Sequence, residues 1–217
     1  MQPALELVSA PPIVSRRSNA VVIVCLLSLL SFATVTFAQS EALTLPRNLT
    51  QLVDESQLIV QGRVASVTLA PHGQLANLLT VVVTLQVEET VKGPSASTYT
   101  FRQAVIDRRD QQQLMGYRVG QHLLLALIRP STYDLSSPAG MLQGRFLITT
   151  QPGGKSVATN GLGNAGLLRG VGSQLQANGA QPTPQVRAML AELKTGPLPL
   201  EDLKSLMRTI SARNISK

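Results

Sequence analysis

Apolar and polar positions alternate along this chain with two different periods, and the switch between them predicts its layout. Residues 46–56 place Leu49, Leu52 and Val53 on one helical face behind Asn48, a residue suited to cap a first turn, so a short helix is expected. The run Leu58-Ile59-Val60-Gln61-Gly62-Arg63-Val64-Ala65-Ser66-Val67 reads as a strand, with a bulge or bend at Gly62. Pro71-His72-Gly73 marks a turn. Over residues 78–91, Val81, Val83, Leu85 and Val87 alternate with Val82, Thr84, Gln86 and Glu88, the period of a half-buried strand. Lys92-Gly93-Pro94 ends it. Further strands are predicted over 98–102, 121–128 and 144–150, and the polar stretch 107–113 reads as a loop.

After Thr150 the pattern changes. Residues 151–181 are rich in Gly, Asn, Gln and Ser, which predicts turns, short strands or mobility. Two helices are then expected. Thr183 caps the first and Pro184 takes its first position, with Val186, Met189, Leu190 and Leu193 as its stripe before Gly196-Pro197. The second starts at Leu200 with Glu201 and Asp202 in its first turn and Leu203, Leu206, Met207 and Ile210 as its stripe. Arg208, Arg213 and Lys217 gather towards its end, which also suits a membrane-surface or partner-binding hairpin. The expected fold is mainly β with flanking helices: a small OB-like antiparallel barrel over 39–150, a Gly/Gln/Asn-rich loop region over 151–182 and a C-terminal helical hairpin over 183–217. A β-sandwich is the alternative.

Ahead of these elements lies the pattern of an export signal over 1–38. Arg16-Arg17 is a basic flank, an uncharged run opens at Ala20, and Thr36-Phe37-Ala38 offers small residues at the two positions a signal peptidase reads. A membrane span needs about 20 apolar residues, and the run from Ala20 through Ala38 approaches that, so a retained anchor is the alternative. Ser31, Thr34 and Thr36 weaken its second half, however. A twin-arginine route is disfavoured because Ser18-Asn19 follows the arginine pair. Cys25 follows Val24 inside the apolar run, which does not suit a lipoprotein. The expected location is therefore periplasmic or extracellular.

Cleavage after Ala38 removes Cys25, the one cysteine of the chain, and with it any disulfide, thiol nucleophile or thiolate metal site. It also removes Arg16, Arg17 and Glu6, taking the net charge from +7 to +6. Such a balance suits an acidic partner, either a protein or an anionic envelope polymer. Nucleic acid is not expected, since only Tyr99, Phe101 and Arg102 suggest rings interleaved with positive charge. Membrane contact is expected only through the Ala20 to Ala38 run, if it is uncleaved.

No motif assigns a catalytic, cofactor-binding or metal-binding residue. Gly161-Leu162-Gly163-Asn164-Ala165-Gly166 matches the dinucleotide fingerprint in letters, but a Gly/Ser/Asn-rich approach and no suitable following acid argue for a loop. Gly153-Gly154-Lys155-Ser156 lacks the earlier glycine of a phosphate loop, where Thr149 stands. His72 and His122 are the only histidines, and no ligand spacing joins them. His72 is expected to be exposed in its turn, and His122 to be a hydrogen-bonded structural residue at the head of a strand. Asp107 and Asp110 flank Arg108-Arg109 as a surface salt-bridge cluster. Glu88 and Glu89, adjacent on a strand, are expected on opposite faces. Asn48-Leu49-Thr50 and Asn214-Ile215-Ser216 fit the glycosylation pattern.

The segments 51–64, 87–93 and 119–127, with Gly144-Arg145-Phe146, together resemble uncharacterised exported bacterial proteins that share "apolar–x–Gly–basic–Val" and "Val-x-Glu-x-x-Lys-Gly". The order of elements over 48–150 is more distantly similar to the OB-like barrel of netrin modules and tissue inhibitors of metalloproteinases. Those inhibitors use an N-terminal cysteine, which this chain lacks, so the resemblance implies a fold and carries over no functional residue. The functional expectation is an exported, non-catalytic binding module. The alternatives are a secreted hydrolase using His122 with Asp107 or Asp110, or a regulator of a secreted protease.

Overall fold

A computed structural model of the chain describes residues 45–192 and 195–213. The predicted export signal, Cys25, Asn214 and Lys217 lie outside the described residues. Helix α1 (Leu49–Glu55) forms where the pattern placed it. The Asn48 side chain accepts the Gln51 N–H at 3.0 Å, and the Gln51 side chain accepts the Asn48 N–H at 2.9 Å. This reciprocal cap satisfies two donors that the first turn would otherwise leave open. At the other end Lys92 donates to the carbonyls of Val53 and Ser56, each at 2.6 Å, placing a cation where the helix presents its negative end.

Seven strands follow: β1 (Ser56–Pro71), β2 (Leu79–Lys92), β3 (Thr98–Ala104), β4 (His122–Ile128), β5 (Arg145–Thr150), β6 (Ser156–Asn160) and β7 (Leu198–Pro199). They form one antiparallel sheet in the order β3-β2-β1-β4-β5-β6-β7. The helices beside it are α1, α2 (Arg108–Gln112), α3 (Val171–Ala177), α4 (Pro184–Glu192) and α5 (Leu200–Ala212). The chain is thus mainly β with flanking helices, as expected. The sheet does not close into a barrel, because β5, β6 and β7 extend it away from β3. The β4–β5 connection spans the gap with two isolated bridges, Arg102 to Leu135 and Leu127 to Pro138.

Three stretches differ from the sequence reading. Residues 107–113 hold α2, whose N-cap is Asp107 accepting the Asp110 N–H at 2.8 Å. The region 151–182 contains β6, one of the short strands expected there, and also the helix α3, which was not expected. The two C-terminal helices are separated by β7, which pairs with β6 and so makes the connection part of the sheet.

Alternation along the central strands explains the packing. In β4, Leu123, Leu125 and Leu127 face one apolar cluster with Leu58, Val60, Val81, Val83, Leu85, Phe101 and Tyr117. Leu124 and Ala126 face the other, with α1, Phe146 and the stripes of α3, α4 and α5. The predicted α5 stripe of Leu203, Leu206, Met207 and Ile210 is fully buried there. Strand β4 therefore has no polar face, which is why it reads as a continuous apolar run.

The β1–β2 ladder is irregular at three places: between Ile59 and Val60, Gln61 and Gly62, and Val64 and Ser66. Such bulges bend a strand and raise its twist. Gly62 sits at one, as predicted, and a Cβ there would collide with the Gln86 carbonyl oxygen. Gly62→Ala is expected to destabilise the fold by about 1–3 kcal/mol through this clash, measured as a lower urea midpoint with unchanged slope.

Candidate functional site

Strand β2 and helix α5 meet at a polar cluster between the bulges. Gln61 pairs with Glu89 and Gly62 with Val87, so Glu88 is the extra residue of the ladder. Two residues of a bulge face a single partner, and the strict alternation of faces fails there. Glu88 therefore bonds the Gln61 side chain directly and Glu89 joins it through Lys204, correcting the expectation that the two point apart. The Gln61 amide nitrogen donates to Glu88 Oε2 at 2.9 Å, and its oxygen accepts Lys204 Nζ at 2.8 Å. Lys204 also binds Glu89 Oε2 at 2.5 Å and Glu201 Oε1 at 2.7 Å. Arg208, one turn further along α5, pairs with the second Glu89 oxygen.

The Glu88 carboxylate accepts His122 Nε2 at 2.7 Å and faces Arg63 Nε at 3.2 Å. Because that carboxylate only accepts, the network assigns the His122 proton to Nε2. Burial alone would raise the Glu88 pKa, but the Gln61 hydrogen bond, His122 and Arg63 together outweigh it and lower the value. Arg63, Lys204 and Arg208 balance Glu88, Glu89 and Glu201 charge for charge.

Lys204 is 2 % exposed, yet its three N–H donors meet three acceptors. An ammonium held this way offers no lone pair, so it acts as a clamp and not as a nucleophile. The sequence reading missed it. Its signal was a lysine in line with the apolar positions Leu200 and Met207, three residues after Glu201, on what would otherwise be a continuous stripe.

The other candidate residues are placed apart from this cluster. Asp107 caps α2, and burial followed by the Asp107 charge raises the Asp110 pKa. Neither aspartate bonds His122, which donates to Glu88. His72 is half-buried, contrary to expectation: Nδ1 accepts the N–H groups of Gln74 and Leu75 at 3.1 and 3.0 Å, while Nε2 donates to the Tyr133 carbonyl at 2.7 Å. It ties the β1–β2 turn to the β4–β5 connection. Arg213 pairs with Asp54 at 2.6 Å, so two of the basic groups near the C-terminus are committed within the fold.

The two glycine-rich motifs are explained by local structure. Gly153 and Gly154 form the β5–β6 turn with φ of 94° and 80°. Strand β6 does lead into Gly161, but it is antiparallel to its neighbours, and α3 opens after Gly170 and not at Gly166. Buried Asn160 and Asn164 pin that loop by exchanging backbone and side-chain bonds at 2.8–2.9 Å. A left-handed turn stands out elsewhere, with φ of 52°, 55° and 76° at Leu114, Met115 and Gly116. Arg145 holds it by donating to the Met115 carbonyl at 2.6 Å while its guanidinium lies 4.7 Å over the Tyr117 ring. Burial pushes the Tyr117 hydroxyl up to about 12.

Among the described residues no group of three or more His, Cys, Asp or Glu side chains is placed to hold a metal ion. No helix among them is long and apolar enough to cross a membrane. No protein-family model, curated protein or solved structure matches the chain.

Removing one member of a buried ion pair strands the others, so Lys204→Met is expected to cost about 3–5 kcal/mol in chemical unfolding. Glu88 has a lowered pKa in the fold, so its stabilising contribution is complete above the ordinary glutamate value of 4.5 and is lost as pH falls through the lower, folded value. Glu88→Gln should therefore flatten the acid limb of the stability–pH curve between 4.5 and that lower value, read from unfolding midpoints across the acid range.

Proposed function

We propose that this chain is an exported, non-catalytic interaction module of the periplasm or extracellular space, binding a protein or an anionic envelope polymer. The observation that carries the reading is the saturation of its most chemically endowed cluster. Lys204 spends every proton on Gln61, Glu89 and Glu201, and His122 spends its Nε2 proton on Glu88. A nucleophile needs a substrate-facing electron pair, and the Lys204 ammonium, clamped by three acceptors, offers none. Export rests on the sequence pattern ending at Ala38, and the choice of partner on the net charge of +6 that cleavage there leaves.

A hydrolase is the second reading, favoured by one contact: the Glu88–His122 pair at 2.7 Å has the form of an oriented imidazole. The purified protein, screened on ester, phosphoester, peptide and glycoside substrates, is expected to give no turnover. Immobilised and exposed to fractionated envelope proteins and polymers, it is expected to retain one component saturably at micromolar concentration. Turnover that His122→Ala abolishes, with the circular dichroism spectrum unchanged, would establish the hydrolase reading. Absence of any saturable retention would end the binding reading.

A further inference from the structure

The outer edge of β1 changes character just after Arg63. Up to that residue β4 pairs with it, and Val64 still exchanges both backbone groups with the approach to β4: its N–H donates to the Gln121 carbonyl at 2.9 Å and its carbonyl accepts Gly120 N–H at 2.8 Å. Beyond Val64 the strand pairs with β2 alone. Across that hairpin His72 N–H donates to the Leu78 carbonyl at 2.8 Å. In an antiparallel ladder this parity aims the backbone groups of Ser66, Thr68 and Ala70 at β2, and those of Val67 and Leu69 outwards.

Among the described residues no strand pairs with this edge. Open edges are ordinarily protected by charge, proline or a covering segment, yet Ala65-Ser66-Val67-Thr68-Leu69-Ala70 carries no charge, and Pro71 stands only at its tip. The side chains of Val67 and Leu69 are half-buried against the cluster that holds Phe101 and Tyr117. That cluster is therefore left partly open where the edge is free.

We propose that this edge pairs antiparallel with the same edge of a second copy of the chain, about a two-fold axis through Thr68. Outward residues must meet outward residues, so the position numbers of each facing pair sum to an even value. The register that centres the uncharged stretch sets Thr68 opposite its copy, Val67 opposite Leu69 and Ser66 opposite Ala70. Arg63 falls opposite Gly73 and not opposite another arginine, so no like charges face each other. Val67 and Leu69 of the two copies meet on the face that each cluster leaves open. The surface is self-complementary, as a two-fold interface requires.

Sedimentation of the purified chain is expected to show a concentration-dependent dimer that Leu69→Pro abolishes. Leu69 N–H faces outwards, so proline there removes a donor the β2 ladder does not use. A cross-link reads the register independently. Opposed residues of a non-hydrogen-bonded pair lie about 4.5 Å apart at Cα, within disulfide reach. With Cys25→Ser as background, Thr68→Cys is expected to give a covalent dimer on mild oxidation, while Ser66→Cys stays uncross-linked. A monomer at every concentration into the millimolar range, a dimer that survives Leu69→Pro, or equal cross-linking from positions 66 and 68 overturns the proposal. So does a Thr68→Cys variant that leaves a dimeric chain uncross-linked.

Discussion

A buried ammonium has to be matched donor for donor, and in this protein the matching is done by an irregularity in a strand. Lys204 lies on the apolar side of α5, where a hydrocarbon side chain would suit the surrounding leucines. Its charge is tolerable there only because Glu89, Glu201 and Gln61 converge on it. Linking both glutamates to Gln61 in turn needs the extra residue in β2, since regular alternation would send Glu88 and Glu89 to opposite faces. The position of α5, the register of β1 on β2 and the pairing of Glu88 with His122 are thus one arrangement. Removing one member is costly, but replacing a whole buried cluster by well-packed hydrocarbon can leave stability unchanged, so what the cluster supplies most directly is selection of register. A slip of β2 by one residue would break the bonds that Glu88 and Glu89 make.

The second constraint is the central strand. Because β4 is apolar on both sides, each side must be covered, and the chain covers them by different means. One face receives the helices, whose stripes come from both ends of the described sequence. The other is covered by the curling β1–β2–β3 segment, helped by the turn at Leu114 and Met115. Left-handed backbone costs about 1–2 kcal/mol per non-glycine residue, and the arginine contact to the Met115 carbonyl, the buried Tyr117 ring and the edge-on Phe101 ring at 5.7 Å hold it in place. The curl stops short of a barrel because β5 continues the sheet from the free side of β4, where a closing strand would have to pair.

How much of this was legible in the sequence follows from where the information is local. Helix α1 was legible because its cap and its stripe lie within eight residues of Asn48. The five longer strands were legible because each carries its own alternation or apolar run. Strands β6 and β7 were not, since Val157, Ala158 and Leu198 are too few to form a pattern and gain their strand character from neighbours. Helix α2 buries no side chain at all, so no stripe marked it. The polar cluster was hidden for a stronger reason. Adjacent glutamates say nothing of a bulge, because a bulge is a property of the register between two strands. Lys204 alone carried a local clue, a charge on an apolar stripe beside Glu201, and its partners on the sheet, Gln61 and Glu89, are more than a hundred residues away.

A second irregularity of the same ladder shapes the far end of the hairpin. Val64 pairs with Leu85 and Ser66 with Thr84, so Ala65 is an extra residue in β1, and from Ser66 to Pro71 the ladder runs without a further shift. Val64 turns its backbone groups towards Gly120 and Gln121, so without Ala65 those of Ser66 and Thr68 would face outwards in place of those of Val67 and Leu69. The half-buried apolar side chains of Val67 and Leu69 would then change face. One extra residue in β2 thus serves the contact with α5, and one in β1 decides what the open edge presents.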